Sequence, residues 1–503
     1  MFVLTKFGLL ILLFGIGLFD RTIIVQSVSI YHPNGRTANL ETTNEKSIQS
    51  NEIVKLGNND SDQQDRTIEL EYRRQFVVDM AKEAWNSYVE YAWPQYNLQP
   101  LSLIRQKAAL GYSGETIVSS MSTLWLMDLQ TEFEQARKWI EQEMIIGDQS
   151  MSKIGSLLSC FALTGDSLFR NKAQDIAELS SPTDLTGKVG GYVHKTLLLN
   201  EWLKQRLEYP YLSSITNQSK YLKRVQDMDY IFDKQDILND EVSEKTNWIT
   251  KVKAFIQSRG SQPNERKQYY DFIDSMERSG NLRRTRSGLW YMREQLPMNY
   301  MTSSHCNIGA MLALGQIDKL NVRVVDAWRE NIQELKRTVK HLDMAKQITE
   351  LCHMSTLSSA SGLPPKLFFV SENERNSSNE VFLWRDQDSD SQSYWLDPQL
   401  AESYFVLWRL THEEKYRDYA WELALAIHKN CRTKTGYASV RDVSKLPTTK
   451  LDNQPPHFLS STLKYLFLTF SSDQILPLDK WVFNGDGQPL PTYDGPNSEI
   501  KLN

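Results

Sequence analysis

Apolar side chains recur with helical spacing along most of this chain. The first clear pattern starts at Glu69, passes through Phe76, Met80 and Tyr88, and ends at the helix breaker Pro94. Similar segments of about ten to twenty residues recur over most of the remaining sequence, whereas alternating β-branched runs are scarce. The pattern therefore predicts an all-α fold.

Three segments share an internal motif, in which an aliphatic residue is followed by Thr, by an aromatic residue six positions on and by a small apolar residue ten positions on. This motif is typical of a helix end, a short turn with a capping residue and a second helix whose buried face begins at the aromatic residue. Repeated helical hairpins stack either as an open solenoid or as a closed toroid, and their spacing alone does not choose between the two. The segments are 163–173, 215–225 and 410–420.

The N-terminus carries a separate signal. The apolar run from Phe7 to Phe19 is shorter than the roughly 20 residues that span a bilayer, and Ser27-Val28-Ser29 is an acceptable cleavage site. Residues 1–29 are therefore predicted to be a signal peptide or an uncleaved signal anchor. Either one directs the chain to the secretory pathway, in the lumen of the endoplasmic reticulum or the Golgi. The polar segment 30–66 is predicted to be a flexible stem, and 493–503 a tail.

Composition narrows the classes of partner. A net charge of −5 over 503 residues gives no electrostatic basis for binding nucleic acid. The chain has 13 Trp and 22 Tyr, and such side chains suit the apolar faces of sugars as well as a protein core. Four cysteines are too few for a disulfide-dense scaffold and lack the spacing of a metal site.

The C-terminal segments Trp395–Ser403, His457–Leu466 and Phe483–Pro491 resemble three motifs of the class I α-1,2-mannosidases, glycoside hydrolase family 47. The family motifs are L-R-P-E-x-x-E-S, F-x-x-x-E-T-L-K-Y-L and F-N-T-E-A-H-P-L-P. The segments 116–124 and 301–315 add to a resemblance that reaches from about residue 70 to 491. It implies an (αα)7 barrel over 67–492, plugged by a C-terminal hairpin, that acts on high-mannose N-glycans with a bound Ca²⁺.

The resemblance places Asp148, Thr302 and Gln399 at the three catalytic carboxylate positions of the family. Asp148 is one methylene shorter than the family Glu. Thr302 cannot act as a general base near neutral pH, and Gln399 has no titratable proton. Gly485 replaces the Thr that coordinates calcium, so only its carbonyl remains and weak calcium binding is expected.

Other polar positions of the family motifs persist. Glu201, Glu208, Glu402 and Asp486 match positions where the family binds substrate, and each has a solvated or capping role as its alternative. The family's cysteine pair falls on Cys306 and Cys352, which implies a disulfide between them. Cys160 and Cys431 are expected to be buried thiols.

Three functions are compatible with these exchanges. The first is a relative with impaired or lost hydrolysis that still binds high-mannose N-glycans or glycoprotein clients. The second is an active, inverting, calcium-dependent mannosyl-oligosaccharide 1,2-α-mannosidase in which Asp148 is the acid and Glu201, Glu208 or Glu402 supplies the base. The third is a helical toroid that docks proteins without binding sugar.

Overall fold

The structure is a computed structural model that describes residues 48–104, 114–147, 153–179, 205–234, 263–293, 299–317, 332–371, 380–383 and 390–492. One compact unit comprises Asp65–Asn503 and a second Met1–Gln64. The predicted signal segment 1–29 and the tail 493–503 lie outside the described residues. Within the described residues, no helix combines the length and the apolar character needed to cross a bilayer.

Helices dominate the described chain, which confirms the predicted all-α class. They are α1 (Ile48–Tyr91), α2 (Glu115–Leu126), α3 (Gln130–Gln142), α4 (Ile154–Thr164), α5 (Ser167–Leu179), α6 (205–216), α7 (Lys220–Lys234), α8 (Pro263–Arg278), α9 (Ile308–Leu314), α10 (Ile332–Leu357), α11 (Gln399–Thr411), α12 (Lys415–Cys431) and α13 (Leu463–Thr469).

Helix α1 begins earlier than the apolar pattern indicated. It starts at Ile48, so residues 48–66 of the segment expected to be a flexible stem are helical. The expectation rested on the absence of an apolar face, which signals packing rather than helicity. Once residues after Glu69 form a packed helix, extending it toward the N-terminus avoids a new nucleation step.

The internal motif marks the ends of three helices, as predicted. Its second residue is Thr164, Thr216 or Thr411, and each hydroxyl donates to the carbonyl four residues earlier, at 2.6–2.7 Å. The third residue adopts a left-handed conformation, with φ of 73° at Gly165, 54° at Asn217 and 53° at His412. The aromatic residue of each motif is fully buried. The motif is therefore a recurrent helix-terminating turn that leads into the next helix.

Small antiparallel sheets complete the fold. The strands are β1 (Leu282–Arg284), β2 (Trp290–Met292), β3 (Tyr300–Thr302), β4 (Leu367–Val370), β5 (Val381–Leu383), β6 (Trp481–Phe483) and β7 (Pro489–Pro491). They pair as β1–β2, β3–β4–β5 and β6–β7.

The β6–β7 hairpin is the C-terminal hairpin that the resemblance implied. Its register pairs Trp481 with Pro491 and Phe483 with Pro489. Phe483 packs against Phe405 of α11 and Tyr465 of α13, with ring centroids 5.5 and 5.4 Å apart. Both strands are buried, and β7 also contacts α4. The hairpin is thus held in the core by helices far apart in the sequence.

The predicted disulfide between Cys306 and Cys352 is confirmed. It links the 3-10 turn Ser303–Asn307 to α10, with the two Cα atoms 5.9 Å apart. Cys160 and Cys431 are buried thiols, also as expected.

Candidate functional site

The turn of the C-terminal hairpin, residues 484–488, is the centre of the candidate site. Asn484 Oδ1 accepts hydrogen bonds from the backbone N–H groups of Asp486 and Gln488, each at 2.9 Å. Gly487 has a φ of +68°, and a Cβ there would lie 2.6 Å from Ser461 Oγ. The turn thus needs both a side-chain cap and a glycine, and it is fixed before any ligand binds.

Glu208 of α6 reaches the turn from one side. Its Oε1 accepts a hydrogen bond of 2.9 Å from Asn484 Nδ2, and the Glu208 side chain is buried. Gly155 of α4 allows this approach, because a Cβ there would overlap both Glu208 Oε1 and Asn484 Nδ2. The bond gives Glu208 a structural role in bracing the hairpin.

Helix α2 contacts the other end of the turn. Gln488 Oε1 accepts a 2.7 Å bond from Ser122 Oγ, and Gln488 Nε2 donates to the Ser119 carbonyl at 2.9 Å. The resemblance of segment 116–124 to the family motif T-I-V-D-A-L-D-T-L places Ser119 and Ser122 at its two Asp positions. The groups of α2 that contact the turn are therefore a hydroxyl and a backbone carbonyl.

The ammonium group of Lys464 lies between α2 and the same turn. It donates to Ser122 Oγ at 2.8 Å and to the Gly487 carbonyl at 2.7 Å, and the side chain is fully buried. In the described part of the chain no carboxylate lies within ion-pair distance of its Nζ. Burial lowers the pKa of Lys464 to about 7.

Glu402 of α11 is a buried carboxylate held by two side chains. It accepts hydrogen bonds from Asn307 Nδ2 at 3.3 Å and from the Tyr465 hydroxyl at 3.4 Å. Since Tyr465 packs on Phe483, Glu402 is placed close to the strand that leads into the turn. Glu208 thus contacts the 484–488 turn directly, and Glu402 is linked through Tyr465 to the strand that leads into the turn.

Two residues that the resemblance places at catalytic positions, Gln399 and Thr302, lie on α11 and β3. Gln399 is the first residue of α11, and its Oε1 is buried with no hydrogen-bond partner among the described residues. Thr302 ends β3, with its Oγ1 2.6 Å from Ser304 Oγ and 3.2 Å from His305 Nδ1. Asp148 and Glu201 lie outside the described residues.

Sequence reasoning missed one titratable pair. His457 Nε2 lies 3.5 Å from Asp397 Oδ1 and 2.9 Å from the Trp395 carbonyl oxygen. The resemblance places Asp397 at the Arg position of L-R-P-E, and His457 immediately precedes the π-helical turn Phe458–Thr462. Each residue differs from the residue that its family motif carries. No sequence pattern indicates that two motifs sixty residues apart are in contact.

The described donors do not fit a calcium ion. Ca²⁺ takes about six to eight oxygen ligands, several of them charged in tight sites. Gly485 offers a carbonyl alone, and no atom lies within 4 Å of the place where its Cβ would be. Among the described residues, no group of three or more His, Cys, Asp or Glu could hold a metal ion. Calcium therefore has no part in the function proposed below.

Comparison with known proteins shows the family of this chain. The profile of glycosyl hydrolase family 47 matches residues 80–186 and 195–492. The chain belongs to glycosyl hydrolase family 47. It is 33% identical to mannosyl-oligosaccharide alpha-1,2-mannosidase IA of Drosophila melanogaster, over 87% of this chain and 70% of that protein. It is 28% identical to mannosyl-oligosaccharide 1,2-alpha-mannosidase IC of Homo sapiens, over 88% of this chain and 74% of that protein.

A solved structure supports the fold. The alpha-1,2-mannosidase from Trichoderma reesei superposes with a TM-score of 0.68, covering 84% of this chain and 99% of that chain at 17% identity. At this identity the likeness shows the fold alone. It confirms the α/α toroid that the resemblance implied.

Proposed function

We propose that this family 47 member binds high-mannose N-glycans of glycoproteins in the secretory pathway and has lost most or all hydrolytic activity. Two observations support the glycan class: the family itself and relatives that are named mannosyl-oligosaccharide mannosidases. The apolar run from Phe7 to Phe19 supports delivery to the endoplasmic reticulum or Golgi.

The observation that carries the proposal is the chemistry of Gln399 and Thr302, which the resemblance places at two catalytic carboxylate positions of the family. Inverting hydrolysis needs one carboxyl group to protonate the leaving oxygen and another to activate water. An amide and a hydroxyl can hydrogen-bond to a sugar, but neither takes a proton from water near neutral pH. Gln399 and Thr302 therefore keep polar side chains at these positions, but neither can act as the general base.

The remaining carboxylates are held by hydrogen bonds within the protein. Glu208 accepts a bond from Asn484, and Glu402 accepts bonds from Asn307 and Tyr465. These bonds fix the position of each carboxylate, which suits a preorganised binding site.

The test is to mix the purified full-length chain with Man9 glycan, with and without added Ca²⁺. Released mannose and the heat of binding are measured side by side. Binding without release is expected. Release of mannose at the rate of an active family member would contradict the proposal, and absence of both signals would favour a protein-docking toroid.

An active α-1,2-mannosidase is the second candidate, favoured by the persistence of the buried carboxylates Glu208 and Glu402 at the hairpin. In that case Asp148 is the remaining residue at the acid position. Mannose release that Asp148→Asn abolishes, and that Gln399→Glu accelerates, would establish this alternative.

A further inference from the structure

The turn between α6 and α7 carries an N-x-S sequon that the candidate site does not use. The chain has three such sequons, at Asn59, Asn217 and Asn376. Asn59 lies within α1, and Asn376 lies outside the described residues. The sequon Asn217-Gln218-Ser219 lies in the turn itself. Such a sequon is a modification site where it is exposed in a chain that enters the endoplasmic reticulum.

The backbone of this turn is anchored at both ends. Asn217 has a φ of 54° and directly follows Thr216, the last residue of α6. Ser213 Oγ donates to the Gln218 carbonyl at 2.9 Å, and the Gln218 N–H donates to the Ser213 carbonyl at 3.2 Å. Tyr221, two residues after the sequon, is fully buried. The turn therefore holds the sequon in a defined conformation.

The two side chains that the modification requires are accessible. Asn217 and Ser219 are exposed, whereas Gln218 between them is half-buried. Among the described residues, neither the Asn217 amide nor the Ser219 hydroxyl takes part in a side-chain hydrogen bond. Asn is favoured in a left-handed turn, where Gly165 occupies the equivalent position of the first motif. The backbone conformation thus suits Asn without engaging its amide, which stays available for reaction.

The Asn217 side chain is remote from the candidate site. Glu208, which contacts the hairpin, lies eight residues before Thr216 in α6. At a rise of about 1.5 Å per residue, the two positions are roughly 12 Å apart along the helix axis. An oligosaccharide on Asn217 would therefore be attached beyond the end of α6, and it is distinct from a glycan bound at the hairpin.

We propose that Asn217 is an N-glycosylation acceptor, so that this chain is itself a glycoprotein. The glycosyl donor is an oligosaccharide carried on a lipid diphosphate, and the oligosaccharyltransferase of the endoplasmic reticulum makes the transfer. Asn217 Nδ2 forms a bond to the anomeric carbon of the first sugar, and the bond from that carbon to the diphosphate oxygen breaks. The lipid diphosphate leaves with the electron pair, and the amide nitrogen releases one proton. The inference rests on the delivery to the secretory pathway that the proposed function includes.

The test is peptide mass spectrometry of the full-length chain, produced in a eukaryotic secretory host and treated with a peptide N-glycosidase. This enzyme converts a glycosylated Asn to Asp, so the peptide that contains Asn217 should gain the corresponding mass. Asn217→Gly keeps a residue that suits the left-handed turn, and Ser219→Ala keeps the acceptor but removes the hydroxyl. Each variant should carry one glycan fewer than the unaltered chain. Gln218→Ala retains both required side chains and is the matched control, which should keep the glycan.

The two other sequons separate failure of this inference from failure of the proposed function. A glycan on Asn59 or Asn376 with Asn217 unmodified would overturn the inference and leave delivery to the secretory pathway standing. If no sequon is modified, the inference also fails, and the thiol state of Cys306 and Cys352 decides about delivery. A formed disulfide shows that the chain reached an oxidising compartment, whereas free thiols would contradict the proposed function as well.

Discussion

The ammonium of Lys464 donates a 2.8 Å hydrogen bond to the hydroxyl of Ser122 beneath the C-terminal hairpin. A fully buried ammonium would ordinarily be paired with a carboxylate. Here its described partners are a neutral hydroxyl and the carbonyl of Gly487. The cost of burying the charge is therefore only partly offset, and it makes the stability of the hairpin depend on pH.

The first prediction concerns this pH dependence. The folded-state pKa of Lys464, about 7, lies below its ordinary value of 10.5, so the unfolded chain binds more protons between these values. The free energy of unfolding should therefore rise with pH from about 7 to 10.5, by on the order of a few kcal/mol, and this contribution should not change below pH 7. Urea unfolding at several pH values measures it.

Two variants isolate the contribution of Lys464. Lys464→Met removes the titrating group and should flatten the rise. Lys480→Met alters an exposed lysine just before β6 and should keep the slope of the unaltered chain. Equal slopes in all three proteins would show that Lys464 does not titrate in this window.

The second prediction restores a charged partner. Ser122→Asp places a carboxylate next to Lys464 Nζ, and a hydrogen bond between charged groups contributes about 1.5–3 kcal/mol. We expect the variant to show a weaker pH dependence and to gain less than this amount of stability at pH 7, because a carboxylate cannot donate the hydrogen bond that Ser122 gives to Gln488. Ser122→Asn has a similar shape without charge and should give no such gain. Denaturant midpoints compare the three proteins, and a gain in both variants would point to packing instead of charge.

The third prediction concerns the contact between Glu208 and Asn484. A methyl group at Gly155 would overlap both side chains, so Gly155→Ala should destabilise the protein by about 1–3 kcal/mol and weaken glycan binding. Gly147 has no atom within 4 Å of an added Cβ, so Gly147→Ala is the control and should behave as the unaltered chain does. Thermal melting and calorimetry give the two readouts. A stable, fully binding Gly155→Ala protein would contradict the account of the hairpin.

The fourth prediction tests the calcium position. The open space at Gly485 accommodates a larger side chain, so Gly485→Thr should fold with unchanged melting temperature. Its hydroxyl adds an oxygen ligand and should tighten Ca²⁺ binding relative to the unaltered chain. Gly485→Ala fills the same space without an oxygen and is the matched control. Calcium titration that shows equal affinity for all three proteins would contradict this prediction.

The fifth prediction concerns the disulfide. The bond closes a sequence separation of 46 residues, and its removal in a Cys306→Ser, Cys352→Ser double variant should cost about 2–4 kcal/mol. Burial raises the pKa of the Cys160 and Cys431 thiols, so both should resist thiol reagents in the folded protein. Thiol titration should therefore detect almost no reactive cysteine until the protein is denatured. Rapid reaction of two thiols in the native protein would contradict this.

Local rules predicted the helical class and the three helix ends at the internal motif. The repeated Thr predicted each helix-terminating turn, because the Thr hydroxyl bonds within its own helix and the next residue only has to adopt one backbone conformation. The same rules missed the start of α1 at Ile48, since a polar helix leaves no apolar period. The family resemblance supplied the toroid, the hairpin and the disulfide.

The sequence by itself determined the helical class, the site motifs and the exchanges at Thr302, Gln399 and Gly485. Tertiary structure decided which side chains meet: Glu208 with Asn484, Lys464 with Ser122, and Asp397 with His457. These partners are 60 to 342 positions apart in the sequence. Spacing rules reach only across a helical turn or a hairpin, whereas packing of distant helices around the hairpin sets the distances between such residues.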